Sequence, residues 1–549
     1  MRRVRVTMDV LCGALFALAL VRAVQAHWSV PVLPIDDGYI HLRYARNILS
    51  GVGPFYNAGQ HVMGSSSPLY VLWLTLVGAL SGVGNLLQAA VRANALWYLA
   101  AMVSMAGLMR RMAGTWSSGF LLAAGAALFS PMLAVSTGAM ESYLWGALVL
   151  GALWAWGKRD VLCALLTGLA AVTRPEGLLL LGIWGLCWLW RRPWEKSKSN
   201  AALADPLRRH WAVLPALAGG PLLLWIAVSV PLYGSPVPLS VVSKASGLYL
   251  MPADYIPRVL RELFRAWSGG GALGWNPPAS AAASGKLVTP AQTLLPWAGL
   301  LGLLVQSRDK GLRVPVAMLG LLMAFYAIGH THLLEWYLPL IWLLWYPVVF
   351  GGATALARTG WYLAAGQQRA GWALLALPLL LAGTVFGSGP ARAAVELARQ
   401  ENLAQIVIDD PVRMRVLAYH SAAEWLNANA PAGARLAATE VGALGWTYSG
   451  YIVDACALVS AEALPYIPVP MEQRNYEGDG VIAQALVQDL QPEYVCSMPT
   501  FASKSIMVDP WFAAHYRQTA SFLLPRELWG ATHVLVWERV DPPVVAQQP

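Results

Sequence analysis

The run MDVLCGALFALALVRAVQA at residues 8–26 is followed by the polar stretch Ile35-Asp36-Asp37-Gly38-Tyr39-Ile40-His41-Leu42-Arg43-Tyr44-Ala45-Arg46-Asn47, and the reading of this junction decides the fold. The run is apolar over about the 20 residues that a membrane-crossing helix needs. Arg2, Arg3 and Arg5 precede it. Val24-Gln25-Ala26 has the small residues of a signal-peptidase site, but many further apolar runs follow, so it reads as an uncleaved first span. The polar stretch then lies outside the cytoplasm.

Composition agrees. Of 549 residues, 57% are hydrophobic and 12% charged, against about 25% charged in ordinary soluble domains. Mean hydropathy is +0.50. A soluble globule could not hide that much apolar surface, so the chain reads as a polytopic α-helical membrane protein. The net charge of +9 is the basic excess expected of cytoplasmic loops, and no nucleic-acid partner is expected. Five cysteines with no CxxC exclude a zinc ribbon or thioredoxin-type motif. Cys456 and Cys496 fit either a disulfide or two buried thiols.

Basic clusters set the topology. They are Arg2/Arg3/Arg5, Arg110/Arg111, Lys158/Arg159, Arg191 to Arg209, Arg308/Lys310/Arg313 and Arg358/Arg369. If all are cytoplasmic, an even number of crossings separates neighbours. Paired apolar runs satisfy this at about 117–135 and 142–157, on either side of Thr173-Arg174-Pro175-Glu176, at about 211–230 and 291–306, and on either side of 330–337. Only the interval from Arg5 to Arg110 holds three runs; the short middle one, Ser67 to Gly82, is read as lying in the outer interface. With a last span at about 371–387, the expectation is about eleven spans, N-terminus cytoplasmic and C-terminus outside. Membrane lipids are then obligatory partners.

From about Ser388 charged residues become frequent and no span follows. An amphipathic helix at Tyr419–Asn429, strand-like Arg435–Thr439, a further segment at Val481–Leu490, and strand-like Glu493–Ser497 and His533–Glu538 predict an extracytoplasmic α/β domain. The expected division is therefore 1–387, a transmembrane domain, and 388–549, a periplasmic or extracytoplasmic domain.

The adjacent carboxylates of Asp36 and Asp37 repel each other, which raises one pKa and suits a general base. Asp36 reads equally as the N-cap of the helix that follows, with Asp37 favoured by its dipole. Tyr39, Arg43 and Arg46 share a face of that helix. Arg174 and Lys244 read either as phosphate-holding cations or as a snorkelling span end and a solvated loop charge. Glu141 is a second acid or an interfacial carboxylate. His330, His332 and Glu335 contact headgroup or substrate, or hold a metal; Trp336 and Tyr337 read as interfacial anchors.

Together these stretches resemble the GT-C glycosyltransferases, closest to the branch of terminal arabinofuranosyltransferases and membrane mannosyltransferase-like proteins. The resemblance rests on Asp36 to Asn47, Gly64-Ser65-Ser66-Ser67-Pro68-Leu69-Tyr70, Ser136 to Ser142, Thr173-Arg174-Pro175-Glu176-Gly177, and Tyr233-Gly234-Ser235-Pro236-Val237-Pro238 to Lys244, in the family's order. In the tail, Glu440 to Trp446 and Ile452-Val453-Asp454 through Glu462 are similar to the outer domain of relatives. Leu239-Ser240 departs from the family's Asn-Thr, and His330 to Tyr337 replaces an aspartate-rich signature.

The resemblance implies an inverting transferase that takes a pentose or hexose, arabinofuranose- or mannose-like, from a polyprenyl-phosphate carrier to a glycan, lipid or protein acceptor outside a bacterial inner membrane. Asp36 or Asp37 would be the base, with Asp36 slightly ahead. Arg43, Arg174 and Lys244 would bind the donor phosphate, and Glu141, His330, His332 and Glu335 would serve the acceptor, the sugar or a second acid. No resident cofactor is expected, with a divalent metal the one option. The topology supports this independently, because all these motifs fall outside, where no nucleotide-sugar pool is expected, and no phosphate-cradling glycine loop is visible. The rivals are a lipid or glycan transporter or flippase and a non-catalytic binding protein. Charges gathered at the interface rather than in mid-span weigh against the transporter.

Overall fold

The computed structural model describes residues 2–191, 212–257, 313–329, 331–352, 356, 402–408 and 410–540. Three helices are long and apolar enough to cross a membrane, Arg3–Ser29, Val83–Ala113 and Val213–Tyr233. At 1.5 Å per residue the 28-residue helix Arg2–Ser29 is about 42 Å long, beyond the roughly 30 Å of hydrocarbon. Its outward residues Val10, Leu11, Leu15, Leu18 and Val21 are exposed, as lipid contact requires. The chain is a membrane protein.

Five further apolar helices are shorter: Pro68–Ser81, Ser142–Ala155, Asp160–Thr173, Gly177–Trp190 and Val314–Ile328. The first has 14 residues, about 21 Å. The run expected at about 117–135 is two helices, Trp116–Ala127 and Ser130–Ser136, with proline at the start of the second. The expected spans at 291–306 and 371–387, and the boundary at 388, lie outside the described residues.

The chain forms two compact units. The first comprises Met1–Val30, Val91–Trp225 and Ala253–Leu403. In it, helix Arg2–Ser29 packs along Trp116–Ala127, and Ser142–Ala155 packs on Asp160–Thr173 and Leu338–Tyr346. Asp160–Thr173 stops because the residue before a proline is pushed out of the helical region. Arg174 is extended there, at φ −151° and ψ 150°.

The second unit comprises Pro31–Ala90, Ile226–Pro252 and Ala404–Pro549. This differs from the single boundary at 387/388 read from composition. Residues 31–90 join the C-terminal chain as the helix Asp36–Leu49 packs on Ala443–Thr447, and 226–252 as the Ser243 hydroxyl donates to the Cys456 carbonyl. The unit holds a five-stranded sheet: β1 (Arg435–Ala438), β2 (Tyr451–Asp454), β3 (Tyr494–Ser497), β4 (Tyr516–Leu528) and β5 (Ala531–Arg539). The order is β2-β1-β3-β5-β4. β1 pairs parallel with β2 and β3, and β5 antiparallel with β3 and β4. The helix Val416–Asn429 covers β4 and β5. The predicted helix and the strands β1, β3 and β5 are found. β2 and β4 were not predicted as strands.

Candidate active site

Helix Asp36–Leu49 begins after extended Ile35, at φ −114° and ψ 121°, with both aspartates in its first turn. Asp36 does not cap this helix. Its Oδ2 accepts the Gly442 N–H and its Oδ1 the Ala443 N–H, each at 2.8 Å. Those amides open the helix Ala443–Thr447, so Asp36 caps a helix supplied by the far end of the sequence. Gly442 is required there, because a Cβ would land on the Asp36 carbonyl.

Asp37, one residue on, is half-buried and accepts no hydrogen bond among the described residues. It lies outside the candidate membrane spans. Burial pushes its carboxyl up to about 6; Lys244 pulls it back, Asp36 adds to the rise, and His41 and Arg415 pull it back again. The pair expected from sequence is thus split. Asp36 has both oxygens committed to backbone amides, and Asp37 has neither oxygen committed among the described residues.

Lys244 reaches the same place from the helix Leu239–Ala245. That helix is fixed by the Leu239 N–H donating to the Met63 carbonyl at 2.7 Å, and by the Ser243 hydroxyl donating to the Cys456 carbonyl at 2.6 Å. Lys244 is half-buried and is the cation that acts most strongly on Asp37.

The C-terminal domain adds charged residues that were not singled out from the sequence. Glu440 follows β1, and its Oε2 accepts from Arg415 Nε at 3.0 Å and Nη2 at 2.8 Å. Burial pushes the Glu440 carboxyl up to about 7 against the pull of Arg415, with Asp36 and then Asp37 adding to the rise. Asp454 ends β2 and accepts the N–H groups of Cys456, Leu458 and Val459. For Glu440 the available signal was position, immediately after the strand-like run Arg435–Thr439; Asp454 had none, because β2 was not read as a strand.

Several expected site residues are engaged elsewhere. Arg43 does not fit a phosphate-binding role. It is buried, and its guanidinium donates to the carbonyls of Tyr56, Gly445, Tyr448 and Gly450 and stacks 4.3 Å over the Tyr56 ring. Arg174, in the first unit, is likewise caged. It donates to Glu141, and to Glu176 at 3.1 and 3.0 Å, with the Tyr337 ring 4.7 Å away and Tyr326 donating to Glu176 at 2.9 Å. Glu141 is therefore a partner of Arg174. Trp336 and Tyr337 are buried and are not exposed anchors. His332 lies 5.8 Å from the Tyr255 ring, Glu335 opens the turn Glu335–Tyr337, and His330 lies outside the described residues. Among the described residues no group of three or more His, Cys, Asp or Glu side chains is placed to hold a metal ion. Cys456 and Cys496 are buried free thiols, not a disulfide.

The fold is shared with solved structures of other proteins. ArnT from Cupriavidus metallidurans in the apo state is 13% identical, over 95% of this chain and 97% of that one, with a TM-score of 0.53. The Archaeoglobus fulgidus oligosaccharyltransferase in complex with Zn and sulfate is 12% identical, over 94% of this chain and 73% of that one, with a TM-score of 0.52. A domain of unknown function (DUF8728) matches residues 406–537. No curated protein matches the chain by sequence.

Proposed function

We propose that this protein is a glycosyltransferase of a bacterial inner membrane. It takes a pentose or hexose, arabinofuranose- or mannose-like, from a polyprenyl-phosphate carrier to a hydroxyl of a glycan, lipid or protein on the outer face. The carrier tail lies in the bilayer and presents phosphate and sugar at the interface, beside the first outer loop. The observation that carries the reading is the Asp37 carboxylate: half-buried, without a hydrogen bond among the described residues, raised to about 6, and acted on by Lys244, within a GT-C fold.

The chemistry is an inverting displacement. Asp37 takes the proton of the acceptor hydroxyl as its oxygen bonds to the anomeric carbon. The bond from that carbon to the phosphate oxygen breaks, the electron pair leaves on the polyprenyl phosphate, and Lys244 meets the developing charge. Asp36 takes no proton; it holds the first turn of the helix against the 442–443 amides.

The test uses the full-length protein in lipid nanodiscs with polyprenyl-phosphate arabinofuranose and polyprenyl-phosphate mannose. Release of polyprenyl phosphate is expected with at least one donor and is lost in Asp37→Asn. Release undiminished in that variant would remove Asp37 from the mechanism, and no release from either donor would remove the donor class.

A further inference from the structure

The parallel part of the C-terminal sheet has a topological switch. From β1 the chain moves to β2 on one side, and later to β3 on the other side of β1. In open α/β sheets, ligands bind in the crevice outside the carboxyl ends of the strands at such a point. The residues at the carboxyl end of β1 are Thr439 and Glu440, and the 442–443 amides that follow are bound to Asp36, the neighbour of Asp37. The switch point is therefore tied directly to the base.

Three groups there have unfilled hydrogen-bonding capacity. Arg415 contacts only Oε2 of Glu440, and Oε1 accepts no hydrogen bond among the described residues. The Tyr419 side chain is fully buried, at 0% exposure, and its hydroxyl has no hydrogen-bond partner among the described residues. Its electrostatic neighbours include Glu440 at the carboxyl end of β1, Cys496 of β3, Arg415 and Asp36. Thr439, 8% exposed, has a hydroxyl that is also without a partner among the described residues. Buried polar groups are nearly always bonded. Two unsatisfied hydroxyls beside a carboxylate oxygen with spare capacity mark a place built for polar atoms of another molecule.

We propose that this crevice is the acceptor subsite, in which Glu440, Tyr419 and Thr439 receive the hydroxyl groups of a polyhydroxylated acceptor and bring one of them to Asp37. The inference rests on the transferase reading above and adds to it the acceptor's chemical class and the part of the chain that selects it. Glu440 accepts from acceptor O–H groups. The two hydroxyls donate or accept as the acceptor demands.

The full-length protein is given the same two polyprenyl-phosphate sugars together with octyl mannoside or octyl arabinofuranoside as acceptor. The ratio of octyl disaccharide formed to free sugar released into water is measured. This ratio does not depend on how much enzyme is folded. Tyr419→Phe removes only an oxygen with no partner, so the melting temperature should not fall, yet the ratio should drop about three- to tenfold through a higher acceptor KM. Glu440→Gln should drop it about tenfold or more, because a hydrogen bond to a charged group is lost. Wild-type ratios in both variants would overturn the subsite and leave the transferase standing. A wild type that releases sugar but never glycosylates either octyl glycoside would overturn the polyol class. Failure to consume any donor would remove the transferase reading itself.

Discussion

The two units each bury an arginine against carboxylates, and they do so to opposite ends. In the first, each nitrogen of Arg174 donates to Glu141 or Glu176, and Tyr326 adds a further donor to Glu176. The cluster sits at the Thr-Arg-Pro corner between two helices. In the second, Arg415 holds Glu440 through one of its oxygens, while Asp37 nearby accepts nothing among the described residues. A carboxylate held by an arginine fixes backbone; one that accepts nothing can take a proton. The presence of Arg, Asp or Glu in a motif does not distinguish the two. Whether their hydrogen bonds are already made does.

The largest effect that would break this contrast is at Arg174. Arg174→Met should destabilise the protein by about 3–5 kcal/mol, because two buried carboxylates lose their counter-charge; thermal unfolding in detergent measures it. A stable variant with weakened donor binding would return Arg174 to the phosphate. Next, Asp37→Asn should leave the melting temperature nearly unchanged and reduce turnover about a hundredfold or more, measured as polyprenyl phosphate released. Lys244→Met should weaken donor binding about ten- to a hundredfold, the equivalent of roughly 1.5–3 kcal/mol for a charge-assisted bond. Asp36→Asn, which keeps one acceptor oxygen for the 442–443 amides, should cost about 0.5–2 kcal/mol of stability and retain turnover. Loss of turnover there, with Asp37→Asn active, would exchange the two roles.

The smallest effect sharpens the comparison through pH. A base works deprotonated, so kcat/KM should rise with pH through about 6, where the Asp37 carboxyl titrates, and level off above it. The charge of Asp36 pushes that limb upward, so Asp36→Asn should move it to lower pH. A limb indifferent to Asp36 would place the titrating group elsewhere.

Much of this was readable in the sequence, and the failures have physical causes. The apolar runs, the polar loop with its paired aspartates, and the strands β1, β3 and β5 follow from hydropathy and alternation. β4 escaped because it lies at the sheet edge, with most of Tyr516–Leu528 at least partly exposed and register shifts on its pairing with β5, so it carries little periodic signal. Asp36 and Asp37 could not be told apart, because the amides that claim Asp36 lie 406 and 407 residues away. Arg43 misled for the same reason: the carbonyls of Gly445, Tyr448 and Gly450 that consume it belong to the C-terminal chain. Glu440 was within a quoted stretch, but only the sheet order shows that it stands at a switch point.

The capping of Ala443–Thr447 by Asp36 also has a consequence in time. The carboxylate and the amides it binds are separated by 406 residues, which a ribosome adding about 5–20 residues per second covers in roughly 20 to 80 s. During that interval the first outer loop exists without the partner that holds Asp36 in place, and both neighbouring carboxylates are equally free. The two aspartates become distinct only when the last quarter of the chain has been made and has folded back. A nascent chain therefore carries the pair without the contact that tells its members apart.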